Sequence, residues 1–259
     1  MSRCDNMNIQ TGDIYQLGQH KLICGDSSNP EYWHQLLQDE QADLLITDPP
    51  YGVNMEQKSK TILKKQQYSK ITNDNIPLTQ LGTILLKTFQ NCKKHLKPDS
   101  SYYIFSPQGG DSELMMMMMM RQAGIKCRHQ LIWMKERPVF SMGRLDYDYQ
   151  HEPILYGWTN KHHFYNRNKK QKSSIQQFKQ IKNRLHPTSK PPLLIGTLMN
   201  NNTQQGMTVI DCFGGGGTTL LVAEKLHRKC RMIEIDPHYV GVIIQRWEAM
   251  TKQKAEKIT

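Results

Sequence analysis

Asp48-Pro49-Pro50-Tyr51 places a carboxylate, two prolines and an aromatic ring directly after the apolar run Leu44-Leu45-Ile46-Thr47. The prolines fix the backbone and remove two N–H donors. What remains is a cluster of acceptors: the Asp48 carboxylate and the carbonyls around the prolines. Such a cluster suits an exocyclic NH₂ group, which brings two donors. Hydrogen bonds to that amine would turn its nitrogen toward tetrahedral geometry and free the lone pair otherwise drawn into the ring. Tyr51 could stack on the same ring. Taken alone, the tetrapeptide also fits a rigid turn at a strand end that carries a surface tyrosine.

A second stretch, Asp211-Cys212-Phe213-Gly214-Gly215-Gly216-Gly217-Thr218-Thr219, reads as a strand end, a glycine turn and a helix start. Glycine allows a sharp turn and a close approach of backbone to ligand. The first amides of the helix are free to donate. A further strand, Arg231-Met232-Ile233-Glu234, ends in a carboxylate about 20 residues on, where nucleotide-binding folds hold a ribose diol. No Gly-Lys-Ser/Thr follows the glycines. The pattern argues for a nucleoside-bearing cofactor without a triphosphate and against an ATPase.

The elements that must position these residues recur along the chain. Short continuous apolar runs at His20–Cys24, Asp43–Thr47, Ser101–Phe105, Gln130–Met134, Glu152–Gly157, Met207–Asp211 and Cys230–Ile235 predict strands buried on both faces. Helix-like segments at 30–39, 78–95, 111–123, 190–202, 217–227 and 237–253 lie between most of them. This alternation predicts a doubly wound α/β fold with a mostly parallel sheet. Lys97-Pro98-Asp99-Ser100 reads as a turn before a strand, and Pro138 helps end another element. The methionine run Met115–Met120 falls in a predicted helix and reads as a low-complexity tract on a half-buried face.

The net charge of +11 is concentrated. Lys161, Arg167, Lys169, Lys170, Lys172, Lys179, Lys182 and Arg184 fall within 159–185, and Lys58, Lys60, Lys64, Lys65 and Lys70 within 57–70, with no acid in either stretch. Local cationic patches suit a phosphate backbone, although a solvated lysine-rich loop has the same composition. Segment 159–185 also carries Phe164, Tyr165, Asn166, Gln176, Gln177 and Phe178, and amides can read base edges where lysines hold phosphates. Residues 52–77 form a long polar stretch straight after the tetrad, in the position of a functional loop. The six cysteines form no CxxC pair and read as reduced, mostly buried thiols, with no metal site expected. The N-terminal residues lack the apolar run of a signal peptide, and no stretch is apolar enough to span a membrane.

In these motifs the chain resembles S-adenosylmethionine-dependent DNA amino-methyltransferases of the permuted beta class, in which Asp-Pro-Pro-Tyr precedes Phe-x-Gly-x-Gly. Both occur here, at Asp48–Tyr51 and at Phe213, Gly215 and Gly217. Gly25-Asp26 resembles the acidic motif near the adenine of the cofactor. His186-Pro187-Thr188-Ser189-Lys190-Pro191 resembles the motif that lines its methionine end, and Glu234 with Asp236 and Tyr239 the ribose-binding strand and helix. The resemblance runs from about residue 12 to 250.

The resemblance implies a Rossmann-like fold with permuted motif order and a methyl transfer to the exocyclic amine of a flipped adenine in double-stranded DNA. Asp48, Pro49, Pro50 and Tyr51 would form the catalytic site. Asp26, Lys190, Asp211, Phe213, Gly215, Gly217, Thr219 and Glu234 would hold S-adenosylmethionine. Arg167, Lys169, Lys170 and Lys172 would contact DNA. The catalytic half would span 1–158, with a flexible loop at 52–77. A short target-recognition segment would span 159–185, and the cofactor half 186–259. The chemistry needs no metal. By family analogy the protein is cytoplasmic, bacterial or phage-encoded, and could act as a homodimer or beside a separate restriction or specificity chain. Three alternatives stay open: a cytosine amine as target, an RNA substrate, and a catalytically silent nucleic-acid-binding module of the same fold. Asp rather than Ser at the first tetrad position leans to adenine in this family.

Overall fold

The computed structural model describes residues 8–52, 76–138, 146–166, 172–179 and 189–259. Its strands, in chain order, are β1 (Ile14–Leu17), β2 (His20–Cys24), β3 (Ala42–Thr47), β4 (Leu96–Phe105), β5 (His129–Met134), β6 (His151–Trp158), β7 (Ile175–Gln177), β8 (Thr208–Asp211), β9 (Lys229–Glu234) and β10 (Glu256–Lys257). The helices are α1 (Pro30–Leu37), α2 (Leu78–His95), α3 (Gly110–Gln122), α4 (Pro192–Asn202), α5 (Thr218–Lys225) and α6 (Pro237–Thr251).

All ten strands join one sheet in the order β10-β1-β2-β9-β8-β3-β4-β6-β5-β7. The central run from β2 to β4 is parallel, and β6 and β1 turn antiparallel on either side of it. Every residue of β8 and nearly every residue of β3 and β9 is buried, because helices cover both faces. Leu44 and Ile46 of β3 pack on one face with Leu194, Leu198, Leu220, Ile243 and Trp247 of α4, α5 and α6. Leu45 of the same strand packs on the other face with Trp33, Leu85, Phe89, Met116 and Met120 of α1, α2 and α3. The result is the three-layered, doubly wound sandwich that the sequence predicts.

The path of the chain opens the site. From β8 it crosses through α5 to β9 on one side, and from β3 through α2 to β4 on the other. Oppositely directed crossovers leave a crevice beyond the carboxyl ends of β8 and β3, the usual place for a ligand in such sheets. Within the methionine run, Met116 and Met120 are buried while Met117 and Met118 are 41% and 47% exposed, the half-buried face expected of that helix. Among the described residues no helix is long and apolar enough to cross a membrane. Cys24, Cys92, Cys212 and Cys230 are buried free thiols.

Three strands have no counterpart in the sequence reading: β1, β7 and β10. Lys97–Ser100, which reads as a turn, lies inside β4 instead. There the pairing with β3 slips between Ala42 and Leu44, so these residues form an irregular, mostly exposed start to the strand.

One close approach holds β6 against β4. At Gly157 an added Cβ would sit 2.5 Å from the Lys126 carbonyl and 2.5 Å from the Tyr102 ring. Gly157→Ala should therefore destabilise the protein by about 1–3 kcal/mol through overpacking. Urea unfolding checks this, and an unchanged midpoint would show that the two strands can part freely.

Candidate active site

The glycine turn forms as its sequence suggests. β8 ends at Asp211, the Gly217 amide bonds back to the Gly214 carbonyl at 2.8 Å, and α5 starts at Thr218. Gly217 adopts φ +76, and a Cβ there would lie 2.7 Å from Ile243, so only glycine fits. The Gly214 amide bonds the Ile233 carbonyl at 2.9 Å, which ties the turn to β9. Glu234, at the end of β9, accepts from the Gly215 amide at 2.5 Å and the Asp236 amide at 2.9 Å. Gly25, which follows β2, donates to the Glu234 carbonyl at 2.9 Å, and Asp26 accepts from the Ser28 amide at 2.8 Å. Thr219 is buried at the start of α5.

Two carboxyls in this crevice are strongly perturbed. Burial pushes Glu234 up to about 7, against the backbone amides of Asp236 and Gly215. Burial also pushes Asp211 up to about 7, against hydrogen bonds from Thr219, the Phe213 amide and Thr47. Among the described residues, neither carboxyl has a salt-bridge partner. Buried acids without a counter-ion, beside a glycine turn and a helix start, fit a ligand that carries hydroxyl donors and a positive charge.

The tetrad lies across the β8–β3 boundary. The Thr47 hydroxyl donates to Asp211 at 2.9 Å, so the residue before Asp48 touches the glycine turn. Asp48 is enclosed in a cluster of buried charges. The Lys190 ammonium donates to Asp48 Oδ2 at 2.8 Å and to Glu152 Oε1 at 2.5 Å. Lys135 reaches Glu152 Oε2 at 3.2 Å. The Tyr51 hydroxyl donates to Asp48 Oδ1 at 2.8 Å, with Glu152 Oε1 at 3.2 Å. Lys190 also lies over the Phe105 ring, 4.8 Å from its centroid, at the end of β4.

Burial raises the Asp48 carboxyl, and the Lys190 ammonium only partly offsets this. Burial would raise Glu152 too, but the ammoniums of Lys190 and Lys135 outweigh it and hold Glu152 below the usual carboxylate range. Burial and the adjacent carboxylates push the Tyr51 phenol well up, so it stays a donor. The Ser106 hydroxyl, just past β4, is buried without a hydrogen-bond partner among the described residues. The site thus offers Asp48 as a fixed acceptor, beside the tyrosine and next to the crevice.

The DNA methylase family, of N6 and N4 type, matches residues 42–245. The chain belongs to that family. It is 25% identical over 233 residues to the type II methyltransferase M2.DpnII of Streptococcus pneumoniae, covering 81% of this chain and 84% of that one. It is 23% identical over 251 residues to the type II methyltransferase M.HpaI of Haemophilus parainfluenzae, covering 88% and 74%. Among solved structures, the M1.HpyAVI–SAM complex superposes with a TM-score of 0.65 at 19% identity, over 87% of this chain and 98% of that one. The cytosine-N4-specific PvuII DNA methyltransferase also superposes with a TM-score of 0.65, at 16% identity over 90% of each chain. These two likenesses support the fold.

In this DNA methylase, Asp26, Asp211, Phe213, Gly215, Gly217, Thr219 and Glu234 gather at the carboxyl ends of β2, β8 and β9. Lys190, expected at the methionine end of the cofactor, bonds Asp48 and Glu152 inside the tetrad cluster. Arg167, Lys169, Lys170, His186, Pro187, Thr188 and nearly all of loop 52–77 lie outside the described residues. Lys172 is exposed. Asn166 donates to Asn201 at 3.2 Å, where α4 ends, on the side of the sheet away from Asp48. Gln177 lies beside Met134, next in sequence to Lys135, and stays on the Asp48 side. Sequence reasoning missed Glu152 and Lys135. The signal available was an acid and a base at facing ends of two apolar strands.

The perturbed Glu234 gives a pH test. A carboxyl whose pKa is raised on folding favours the folded state below its unfolded value, and that contribution is lost as pH climbs to about 7. The stability difference between wild type and Glu234→Gln should therefore move in favour of the variant as pH rises from about 5, by up to about 1.4 kcal/mol for each pH unit, and level off above neutrality. Urea titrations across that range measure it. A difference independent of pH would mean that Glu234 titrates normally.

Proposed function

We propose that this DNA methylase transfers a methyl group from S-adenosylmethionine to the N6 amine of adenine in double-stranded DNA. The observation that carries this reading is Asp48: a buried acceptor, with Tyr51 bonded to it, one residue from the Thr47–Asp211 hydrogen bond that marks the cofactor crevice. The uncompensated carboxyls of Glu234 and Asp211 suit a ribose diol and a sulfonium. Glu234 would hold the diol, and the Gly214–Gly217 turn with Phe213 would border the nucleoside. When bound there, S-adenosylmethionine would supply an electrophilic methyl group, with a neutral thioether as the leaving group.

The residues of the protein supply position. Asp48 accepts a hydrogen bond from the amine and turns its lone pair toward the methyl group. Tyr51 stacks on the base and Pro49-Pro50 keeps the backbone rigid. The methylated nitrogen is acidic and releases its proton through Asp48 to solvent. A duplex base cannot reach so enclosed a site unless it leaves the stack, so base flipping is part of the reading. Orientation accounts for much of the acceleration.

Segment 159–185 would read the target, with Gln177 beside the site and Lys172 exposed to phosphates. The type II designation of the relatives supports a place in a bacterial cytoplasm beside a separate restriction chain. A cytosine amine is the second reading, since the matched family takes in N4 as well as N6 methylases. Asp48 at the head of the tetrad favours adenine.

Mass spectrometry of DNA treated with the protein and labelled S-adenosylmethionine decides the base: N6-methyladenine is expected, and N4-methylcytosine would promote the second reading. Asp48→Ala should cut turnover roughly 10²- to 10⁴-fold while cofactor affinity, measured by calorimetry, stays near wild type. Glu234→Ala should do the reverse, weakening cofactor binding by about 1.5–3 kcal/mol. Near-wild-type turnover by folded Asp48→Ala would remove its assigned role.

A further inference from the structure

The reading of Asp48 as the acceptor for the target amine raises a difficulty at that residue. Both of its oxygens are engaged: Oδ1 by the Tyr51 hydroxyl at 2.8 Å and Oδ2 by the Lys190 ammonium at 2.8 Å. An ammonium bound only to Asp48 would compete with an incoming amine for the same lone pairs. It would also set a positive charge against a positively charged methyl donor.

The structure provides a second anchor for that ammonium. Glu152 Oε1 lies 2.5 Å from Lys190 Nζ, closer than Asp48 does. Glu152 sits in β6, where it pairs with Trp133 of β5, so its backbone is fixed by the sheet. Its other oxygen is held by Lys135 at 3.2 Å. We propose that Glu152 is a positioning residue for methyl transfer: by holding Lys190 it leaves lone pairs of Asp48 open to the target amine.

The charges support this assignment. Asp48 and Glu152 balance Lys190 and Lys135 within one enclosed cluster. A carboxylate offers about four acceptor positions and an ammonium three donors. Lys190 can therefore keep its bond to Glu152 while it yields one position on Asp48. The two carboxyls are also pushed apart, Asp48 upward by burial and Glu152 downward by its ammoniums, as in sites where two acids have separate tasks. Glu152 remains the permanent anion and Asp48 the responsive acceptor.

The test compares ways of restoring charge. Glu152→Gln should slow single-turnover adenine methylation by about 100-fold, with the S-adenosylmethionine dissociation constant within about threefold of wild type. Adding Lys190→Met to Glu152→Gln removes the ammonium from Asp48 and should recover about tenfold. Adding Lys135→Met restores the same charge balance but leaves Lys190 on Asp48, and should recover nothing. A merely structural role predicts at least as much recovery from Lys135→Met, which keeps the Lys190–Asp48 pair, as from Lys190→Met. Equal or greater recovery from Lys135→Met, no recovery from Lys190→Met, or near-wild-type turnover by Glu152→Gln would each overturn the proposal. The double variants keep it testable even where the single variant folds poorly, because both carry balanced clusters. A wild-type protein that methylates no adenine would instead overturn the reading of Asp48 on which the proposal rests.

Discussion

Leu44 and Leu45 of β3 lie beside Val209 and Ile210 of β8, and this parallel pairing joins two parts of the chain that otherwise have little in common. At its carboxyl end the Thr47 hydroxyl reaches Asp211, across 164 residues of sequence. Asp48 follows the first residue and the glycine turn follows the second, so one pairing register places the acceptor against the crevice. A slip by one residue would turn every side chain of β3 to the opposite face. Such a slip is opposed by the two covered faces, because Leu44 and Leu45 fill different cores. Hydrophobic packing far from the chemistry thus fixes the geometry of the site.

The charged cluster is the price of that enclosure. Taking ions out of water costs several kcal/mol each, and removing one partner of a buried pair costs about 3–5 kcal/mol. The four ions are tolerated because each is bonded to an opposite charge and Tyr51 bridges the two acids. The crevice beside the glycine turn is built differently. Glu234 and Asp211 rely on backbone amides and hydroxyls, which leaves their charge uncompensated. One half of the site is electrically balanced, and the other is poised for a cation. Preorganised dipoles and charges of this kind need no rearrangement at the moment of reaction.

The strands that build the site are legible in the sequence because they are buried on both faces and therefore apolar throughout. β10 is not, being two exposed residues that are a strand only through pairing with β1. β7 likewise is a strand only through β5. Asp48, Tyr51, Phe213 and Glu234 can be read from local motifs, since turn chemistry and strand ends are local. Glu152 cannot. Its burial arises from Lys190 and Lys135, both distant in sequence, and an acid at the start of an apolar run looks the same in a solvated strand. Lys190 is legible as a site residue, but its bonding partners are not, for the same reason. Asn166 lies at the far end of the sheet, where its amide bonds Asn201, while Gln177 lies on the Asp48 side.

The central claim is that cofactor and target amine meet across the β8–β3 boundary. A crystal structure of the protein with a duplex and a non-reactive amine analogue of S-adenosylmethionine tests it most directly. The account predicts the ribose at Glu234, the nucleoside along the Gly214–Gly217 turn, and a flipped adenine whose amine donates to Asp48. A cofactor bound elsewhere, or a target base that leaves Asp48 on Lys190 and out of contact, would contradict it.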